Sequence, residues 1–129
     1  ADSAWINLKT VSRDDLPLLF ASTEHRAWMV ALDRHLKGES DAPPTLDCHE
    51  CRLGQWLYAE GATRHGTRAV FQSIERLHRQ MHVTAIELCA IHSRGIRLKL
   101  AETGERHHLL DALIKEIKAM LGEDAVRLS

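Results

Sequence analysis

The chain has few of the residues that interrupt helices, with glycine occurring seven times and proline three times in 129 residues. Almost no stretch alternates polar and apolar residues with the period of two that a half-buried strand shows. Scarce helix breakers and missing alternation together exclude a strand-rich domain and predict an all-α fold. A chain of this length can form one domain with a real core, so we expect a single domain over residues 1–129.

The sequence also lacks long apolar runs and an excess of charge of one sign. No apolar run is long enough to span a bilayer and no signal-peptide pattern opens the chain, so we expect no direct membrane insertion. The formal net charge of −1 gives no long-range field that would attract nucleic acid or an anionic membrane. Because the chain begins with Ala1 and not with methionine, we expect it to be a piece of a longer protein.

Cysteine is too scarce for a disulfide framework. There are three cysteines, an odd number, and Cys48 and Cys51 lie close together in a chain that has nine histidines. This combination favours metal binding in a reducing compartment over disulfide bonds. We therefore predict a cytoplasmic protein.

Apolar residues recur at helical spacing along three long segments. They predict helices over residues 16–37, 67–95 and 105–121, and Gly38 is expected to stop the first of them. The pattern leaves open whether residues 96–102 belong to the last helix.

A short helix is predicted between the first two long ones, after a linker rich in proline and polar residues. Asp47 and Glu50 have the spacing of a capping box, and Gly61 is expected near its end. Residues 1–15 are expected to be irregular. The prediction for the whole chain is a four-helix bundle with this short inserted helix, which carries Cys51.

His78 and His82 are four residues apart on a predicted helix and therefore project from adjacent turns of one face. A zinc protease uses this spacing in H-E-x-x-H, but Arg79 stands where that motif has glutamate, which argues against a protease. Both histidines lie on or beside the apolar face, where an imidazole needs a polar partner. His25 lies on the apolar face of the first helix, and Cys51 opens the short helix, whose amide dipoles favour a thiolate. One thiolate and three imidazoles are a reasonable tetrahedral zinc set.

Three segments, HRAW, CRLGQWLYAEG and HRQMH, follow one another between residues 25 and 82. Together they resemble the chemoreceptor zinc-binding domain, which is found in bacterial chemoreceptors and in some diguanylate cyclases. The pattern of that family is a histidine followed three residues later by Trp, then C-x-[LF]-G-x-W, then H-x-x-x-H. The resemblance implies zinc as the cofactor and assigns its ligands as His25, Cys51, His78 and His82.

The same resemblance implies a cytoplasmic helical bundle that regulates an output domain of its own protein, commonly within a homodimer. The output domain would be a diguanylate cyclase or a chemoreceptor signalling domain. Oxidation of the zinc-bound Cys51 is a second input to consider, because some members of the family are thought to sense hypochlorous acid in this way.

A site with four protein ligands leaves no coordination position for water, so hydrolysis is not expected. We therefore expect a regulatory domain without an active site of its own, in which zinc occupancy biases the packing of the helices. Two other classes stay open at this point. One is a hemerythrin-like di-iron bundle that binds oxygen, and the other is a plain helical dimerisation module whose histidines are incidental.

Cys48 shares C-x-x-C spacing with Cys51 and leaves three interpretations open: an alternative ligand, a resolving thiol or a bystander. We favour the bystander, because the L-G-x-W segment of the family pattern follows Cys51. His49 is expected to be exposed in a turn. Cys89 is expected to be a core residue, about 10 Å along the helix from His82. The other histidines are expected to be solvated, namely His35, His65, His92, His107 and His108.

Four residues near the predicted ligands are given supporting roles. Trp28 is expected to pack against His25 one turn away. Gly54 is expected to let the short helix approach its neighbours closely, and Trp56 and Leu57 to form an apolar shell around the zinc.

Overall fold

The computed structural model of the chain describes residues 12–95 and 100–128. These residues form a 3₁₀ turn, Arg13–Asp15, followed by the helices α1 (Leu16–Leu36), α2 (Arg52–Leu57), α3 (Glu60–His65), α4 (Ala69–Ser93) and α5 (Leu100–Leu128). The described ranges contain no strand, so the all-α prediction is confirmed. No helix within them is long and apolar enough to cross a membrane.

The predicted count of four long helices and one short one is not confirmed. Over the residues that the structure covers, three helices are long and two are short. The last helix begins earlier than expected, at Leu100, and continues through Gly104 to Leu128. Gly104 does not interrupt it, and the space around this glycine is open. The predicted irregular segment lies partly outside the described residues, and its end forms the 3₁₀ turn.

The boundaries of the two other long helices agree with the sequence patterns. Gly38, with φ of +80°, ends α1 as expected, and its N–H donates to the carbonyl of His35 over 3.0 Å. Gly95, with φ of +73°, plays the same part after α4. Only glycine adopts this left-handed conformation without a steric penalty, so a glycine at each of these positions allows the helix to end there.

The predicted short helix is in fact two helices, because the backbone of Ala59 leaves the helical region (φ −132°, ψ −101°). Gly61 does not end a helix but lies within α3. A Cβ at Gly61 would be 2.8 Å from the carbonyl oxygen of Trp56 and 2.9 Å from its ring, so the absence of a side chain lets α3 fold back onto Trp56.

The predicted capping box of Asp47 and Glu50 is wrong. The residue that caps α2 is Cys51, whose Sγ accepts a hydrogen bond from the N–H of Gly54 over 3.3 Å. Asp47 instead accepts from the N–H of His49 over 2.8 Å, inside a turn that precedes the helix.

The core lies between the three long helices. The most deeply buried side chains of α1, α4 and α5 are fully enclosed, and they include Leu32, Ile74, Met81, Leu113, Ile117 and Met120. Burial of each such side chain contributes about 1.5–3 kcal/mol. The short helix α2 adds Leu53 and Leu57 to the same cluster, which ties the loop region to the bundle.

A buried polar cluster connects the start of α1 with α3 and α4. The Oδ2 of Asp15 lies 3.2 Å from Nε2 of His65, and Nε of Arg64 lies 3.3 Å from Oδ1 of Asp15. Nδ1 of His65 accepts from Arg68 over 3.1 Å, which leaves the proton on Nε2 to be donated to Asp15. The cluster therefore ties the start of α1 to α3 and to the start of α4.

We expect replacement of Asp15 by alanine to lower the free energy of unfolding by about 2–3 kcal/mol, because two donors lose a buried acceptor. Asp14 is a matched control, since it also faces Arg64 but its side chain is 59% exposed against 7% for Asp15. Its replacement by alanine should change stability by less than about 1 kcal/mol. Urea unfolding of both variants measures the difference, and equal losses would contradict the assigned role of Asp15.

Candidate metal centre

The four residues that the sequence singled out as ligands lie together in the structure. His25 comes from the middle of α1, Cys51 from the N-cap of α2, and His78 and His82 from α4. One candidate ligand atom from each residue lies within 4.8 Å of the others. The three histidines are at most 3% exposed and Cys51 is half-buried, so the group is enclosed except on the side of its cysteine.

The spacing of the donor atoms fits a tetrahedral zinc ion. Sγ of Cys51 lies 3.1 Å from Nε2 of His78 and 3.9 Å from Nε2 of His25. Zn–S and Zn–N bonds of ordinary length at tetrahedral angles place sulfur and nitrogen about 3.5 Å apart. Small adjustments of the side chains are therefore enough to surround one ion.

Main-chain carbonyls orient two of the imidazoles. Nδ1 of His25 donates to the carbonyl of Ala21 over 2.9 Å, and Nδ1 of His82 donates to the carbonyl of Leu46 over 2.8 Å. With the proton on Nδ1, each ring presents the lone pair of Nε2 as a metal ligand.

Two buried nitrogens within the described part of the chain have no hydrogen-bond partner, namely Nδ1 of His78 and Nε2 of His82. A buried polar atom without a partner is unusual and destabilising. Because Nδ1 of His82 is bonded to the Leu46 carbonyl, Nε2 is the atom that His82 has left to offer to the group. A metal ion bound there would supply the missing partner, so the residues present fit the ion.

The electrostatics of the group favour neutral imidazoles. Burial lowers the pKa of His25 and His82, while burial together with the nearby His82 and His25 lowers the pKa of His78 to about 2. All three rings are therefore neutral near pH 7, which is the form that binds a metal.

Cys51 behaves differently from the expectation based on its helix position. Its hydrogen bond from the N–H of Gly54 does lower the pKa of the thiol, but burial raises the pKa more strongly, and the net shift is upward. The predicted preference for a thiolate is thus wrong for the protein before a metal binds. Metal binding must remove the thiol proton.

A comparison with known protein families identifies the family of this chain. The family model of the chemoreceptor zinc-binding domain matches residues 25–89, which is just over half of the chain. The chain belongs to this family. No curated protein and no solved structure matches it.

The chemoreceptor zinc-binding domain binds zinc, and this chain holds a group of three histidines and one cysteine positioned to bind a metal ion. The group includes a thiol and no carboxylate. A di-iron centre of the hemerythrin type uses bridging carboxylates, so the geometry does not favour that alternative.

Trp28 supports the site as expected, although mainly through a different histidine. Its ring centroid lies 4.8 Å from that of His82 and 6.4 Å from that of His25. Its Nε1 donates to the carbonyl of Thr45 over 2.7 Å, which fixes the segment that presents the Leu46 carbonyl to His82. Trp56 is buried in the core, where its ring packs against Phe71.

The predictions for the other cysteines and histidines are partly confirmed. Cys89 is buried in the core and His49 is exposed, as expected. The solvated state predicted for His35 and His65 is wrong, since these side chains are 9% and 8% exposed. Each has a polar partner that makes burial possible, the Ser40 carbonyl at 2.8 Å for His35 and Asp15 for His65.

Two contributors to the site have no signal in the sequence. The main-chain carbonyls of Ala21 and Leu46 orient His25 and His82. Every residue has such a carbonyl whatever its side chain, so no pattern of residue types could reveal these two. Helix geometry gives a hint only for the Ala21 carbonyl, because Ala21 lies one turn before His25 on the same helix.

Gly54 allows the close approach that the sequence predicted. A Cβ at this position would lie 1.6 Å from the carbonyl oxygen of Cys48 and 3.4 Å from Sγ of Cys51. The loop and α2 could not keep their present positions with any larger residue at this point.

We expect Gly54→Ala to lower the free energy of unfolding by about 2–3 kcal/mol and to weaken zinc binding, because the loop must move away from Cys51. Gly104→Ala is a suitable control, since no atom would meet its Cβ within 4 Å. It should be neutral or slightly stabilising within a helix. Thermal unfolding with and without zinc measures both effects, and a Gly54→Ala protein as stable as Gly104→Ala would contradict the packing argument.

Proposed function

We propose that His25, Cys51, His78 and His82 together bind one zinc ion and that its occupancy controls an output domain of the same protein. The observation that supports this most directly is the origin of the ligands, which come from α1, the start of α2 and α4. A bound zinc ion would cross-link these separate elements. The packing of the helices then depends on zinc, because a ligand that binds one arrangement more tightly shifts the equilibrium towards it.

A continuous set of contacts leads from the site to α5. Asp33 lies about two turns beyond His25 on the same helix and forms a short ion pair with Arg106 of α5, with Nη2 and Oδ1 2.6 Å apart. His107 adds a contact of 2.9 Å to the other carboxylate oxygen. A shift of α1 relative to α4 would therefore also move α5, so α5 is the element that we propose passes the signal on.

The domain on this proposal has no active site of its own and acts in the cytoplasm as a homodimer. The output domain is a diguanylate cyclase or a chemoreceptor signalling domain. The proposal involves no nucleic acid and no direct insertion into a membrane. A plain dimerisation module is the remaining alternative, and it requires no zinc.

Hydrogen–deuterium exchange of the zinc-free and zinc-loaded protein tests the proposed coupling. We expect slower exchange in α1, α4 and the loop around Leu46 on zinc binding, together with a change in α5. Cys51→Ala should lose these responses. If zinc leaves the exchange of α5 unaltered, the domain does not transmit through that helix, and absence of stoichiometric zinc would favour the dimerisation module.

A second input through oxidation is supported by the exposure of the ligands. Cys51 is half-buried, whereas each of the three histidines is nearly enclosed, so an oxidant reaches the sulfur first. Hypochlorous acid would transfer its oxygen to the Cys51 thiolate, giving the sulfenic acid and releasing chloride, and the altered sulfur would no longer hold zinc. We expect oxidant to release zinc from the wild type. An equal release from Cys51→Ser would show that Cys51 is not the sensor.

A further inference from the structure

The turn between α1 and α2 carries a second group of potential metal ligands. Oδ1 of Asp47 lies 3.2 Å from Nδ1 of His49, and Sγ of Cys48 lies 3.6 Å from the same nitrogen. All three ligand atoms are within 4.8 Å of one another. Around a tetrahedral zinc ion, oxygen and nitrogen ligands are about 3.3 Å apart and sulfur and nitrogen ligands about 3.5 Å apart. The two separations to His49 are already close to those that a shared ion requires, and the oxygen of Asp47 and the sulfur of Cys48 are within 4.8 Å of each other.

Neighbouring contacts hold the turn in this arrangement. The ring of His49 stacks on Tyr58 with centroids 4.3 Å apart, and the Tyr58 hydroxyl donates to Glu75 over 2.7 Å. Arg79 in turn binds Glu75 over 3.1 Å. Arg79, which stands where the zinc-protease motif has glutamate, therefore helps to fix the imidazole of His49 through Glu75 and Tyr58.

The exposed group lies beside the buried one. Sγ of Cys51 is 3.8 Å from the main-chain oxygen of Cys48, and the same loop provides the Leu46 carbonyl that orients His82. Because Cys51 is the partly exposed ligand of the buried group, an ion from solvent meets its sulfur first. The side chains of Asp47 and His49 are more than half exposed on this approach.

We propose that Asp47, Cys48 and His49 form a second, labile zinc site from which the ion passes to the buried group. This proposal rests on the proposed binding of zinc by that group. Three protein ligands leave a coordination position open, so the ion exchanges more readily than at a closed four-ligand site. During transfer the Cys51 thiol gives up a proton and replaces Cys48 on the ion, and Cys48 regains a proton, so no further reactant is needed.

Such a site changes rates and leaves the affinity of the buried group unaltered. Removing it should therefore slow both the loading and the release of the tightly bound ion by similar factors. His49→Ala removes one ligand of the labile site and none of the buried group. His108→Ala is the matched control, because this histidine is exposed on α5.

The test uses Zn²⁺ alone as the probe, with native mass spectrometry for stoichiometry and stopped-flow transfer to a coloured chelator for rates. The wild type and His108→Ala should bind one tight and one weak equivalent. His49→Ala should keep the tight equivalent, lose the weak one, and load and release zinc about tenfold more slowly. Circular dichroism confirms that the variants are folded.

Two results would overturn the labile site: a wild type with a single equivalent, or a His49→Ala protein with unchanged stoichiometry and rates. Failure of the buried site is recognised separately with Cys51→Ala. That variant should bind the formerly tight equivalent about two to three orders of magnitude more weakly and keep the weak one. If its tight affinity is unchanged, the buried ligand set is wrong whatever the result for His49.

Discussion

Replacement of Cys51 by alanine should lower the affinity for zinc by about two to three orders of magnitude. Structural zinc sites contribute about 10–16 kcal/mol of binding free energy through four ligands, so one ligand accounts for roughly a quarter of it. In this chain the loss is increased by a second effect, because Sγ of Cys51 also caps α2 through the N–H of Gly54. Competition with a chelator of known affinity measures the change.

Cys48→Ala is the control that makes this result specific. Both cysteines are half-buried, they lie three residues apart, and both are free. Only Cys51 has its sulfur beside His78 and His25, so the alanine at position 48 should leave the equilibrium affinity of the buried group within about threefold of the wild type. An equal loss in the two variants would mean that both sulfurs bind the ion, and the ligand assignment would have to include Cys48.

The part of the site that the sequence predicted depends on regular spacing. His78 and His82 share a face because they are four residues apart on one helix, and both do lie in the group. Cys51 was distinguished from Cys48 by the L-G-x-W segment that follows it. The structure supplies a physical reason for that segment, since only a glycine at position 54 allows the loop to pack against α2 beside the cysteine.

The errors of the sequence analysis concern partners that are distant along the chain or belong to the main chain. His65 looked like a surface residue because nothing nearby in sequence could pair with it, yet its partner is Asp15, fifty residues earlier. His35 is buried because it binds a main-chain carbonyl, that of Ser40. Burial of an imidazole is decided by such partners, and residue types along one helix do not identify them.

The boundaries of the short helices were wrong for a related reason. Asp47 and Glu50 match a capping box in residue type, but the residue that accepts from the first turn of α2 is Cys51. A thiol is a weak acceptor and does not belong to the usual set of N-cap residues. The sulfur of Cys51 both caps α2 and belongs to the metal group. A rule based on capping preference alone therefore selects the wrong residue.

Acid should destabilise the zinc-free protein as the pH falls below about 6.5. The folded-state pKa values of His25, His78 and His82 are lowered, mainly by burial, whereas in the unfolded chain all three histidines titrate near the ordinary value. As the pH falls through 6.5 the unfolded chain therefore gains protons that the folded chain does not, and stability is lost in that direction. It is fully present above the unfolded-state pKa.

The expected size of this effect is large for a domain of this length. His78, whose folded-state pKa is about 2, removes about 2 kcal/mol of stability between pH 6.5 and pH 5, and the lowered pKa values of His25 and His82 add to the loss in the same direction. Small domains have total stabilities of about 5–15 kcal/mol. Urea unfolding of the zinc-free protein at several pH values should give a slope of more than one proton, with His78 contributing a full proton.

A pair of glutamine substitutions separates this cause from general acid denaturation. His78 is fully buried in the group, whereas His108 is exposed on α5. His78→Gln should reduce the slope by about one proton, because the group that resists protonation is gone, and His108→Gln should leave it unchanged. If both variants keep the wild-type slope, the buried histidines do not set the acid limit. If only His78→Gln reduces the slope, burial has two effects on these histidines. It keeps their imidazoles neutral for zinc binding, and it makes the zinc-free domain unstable in acid.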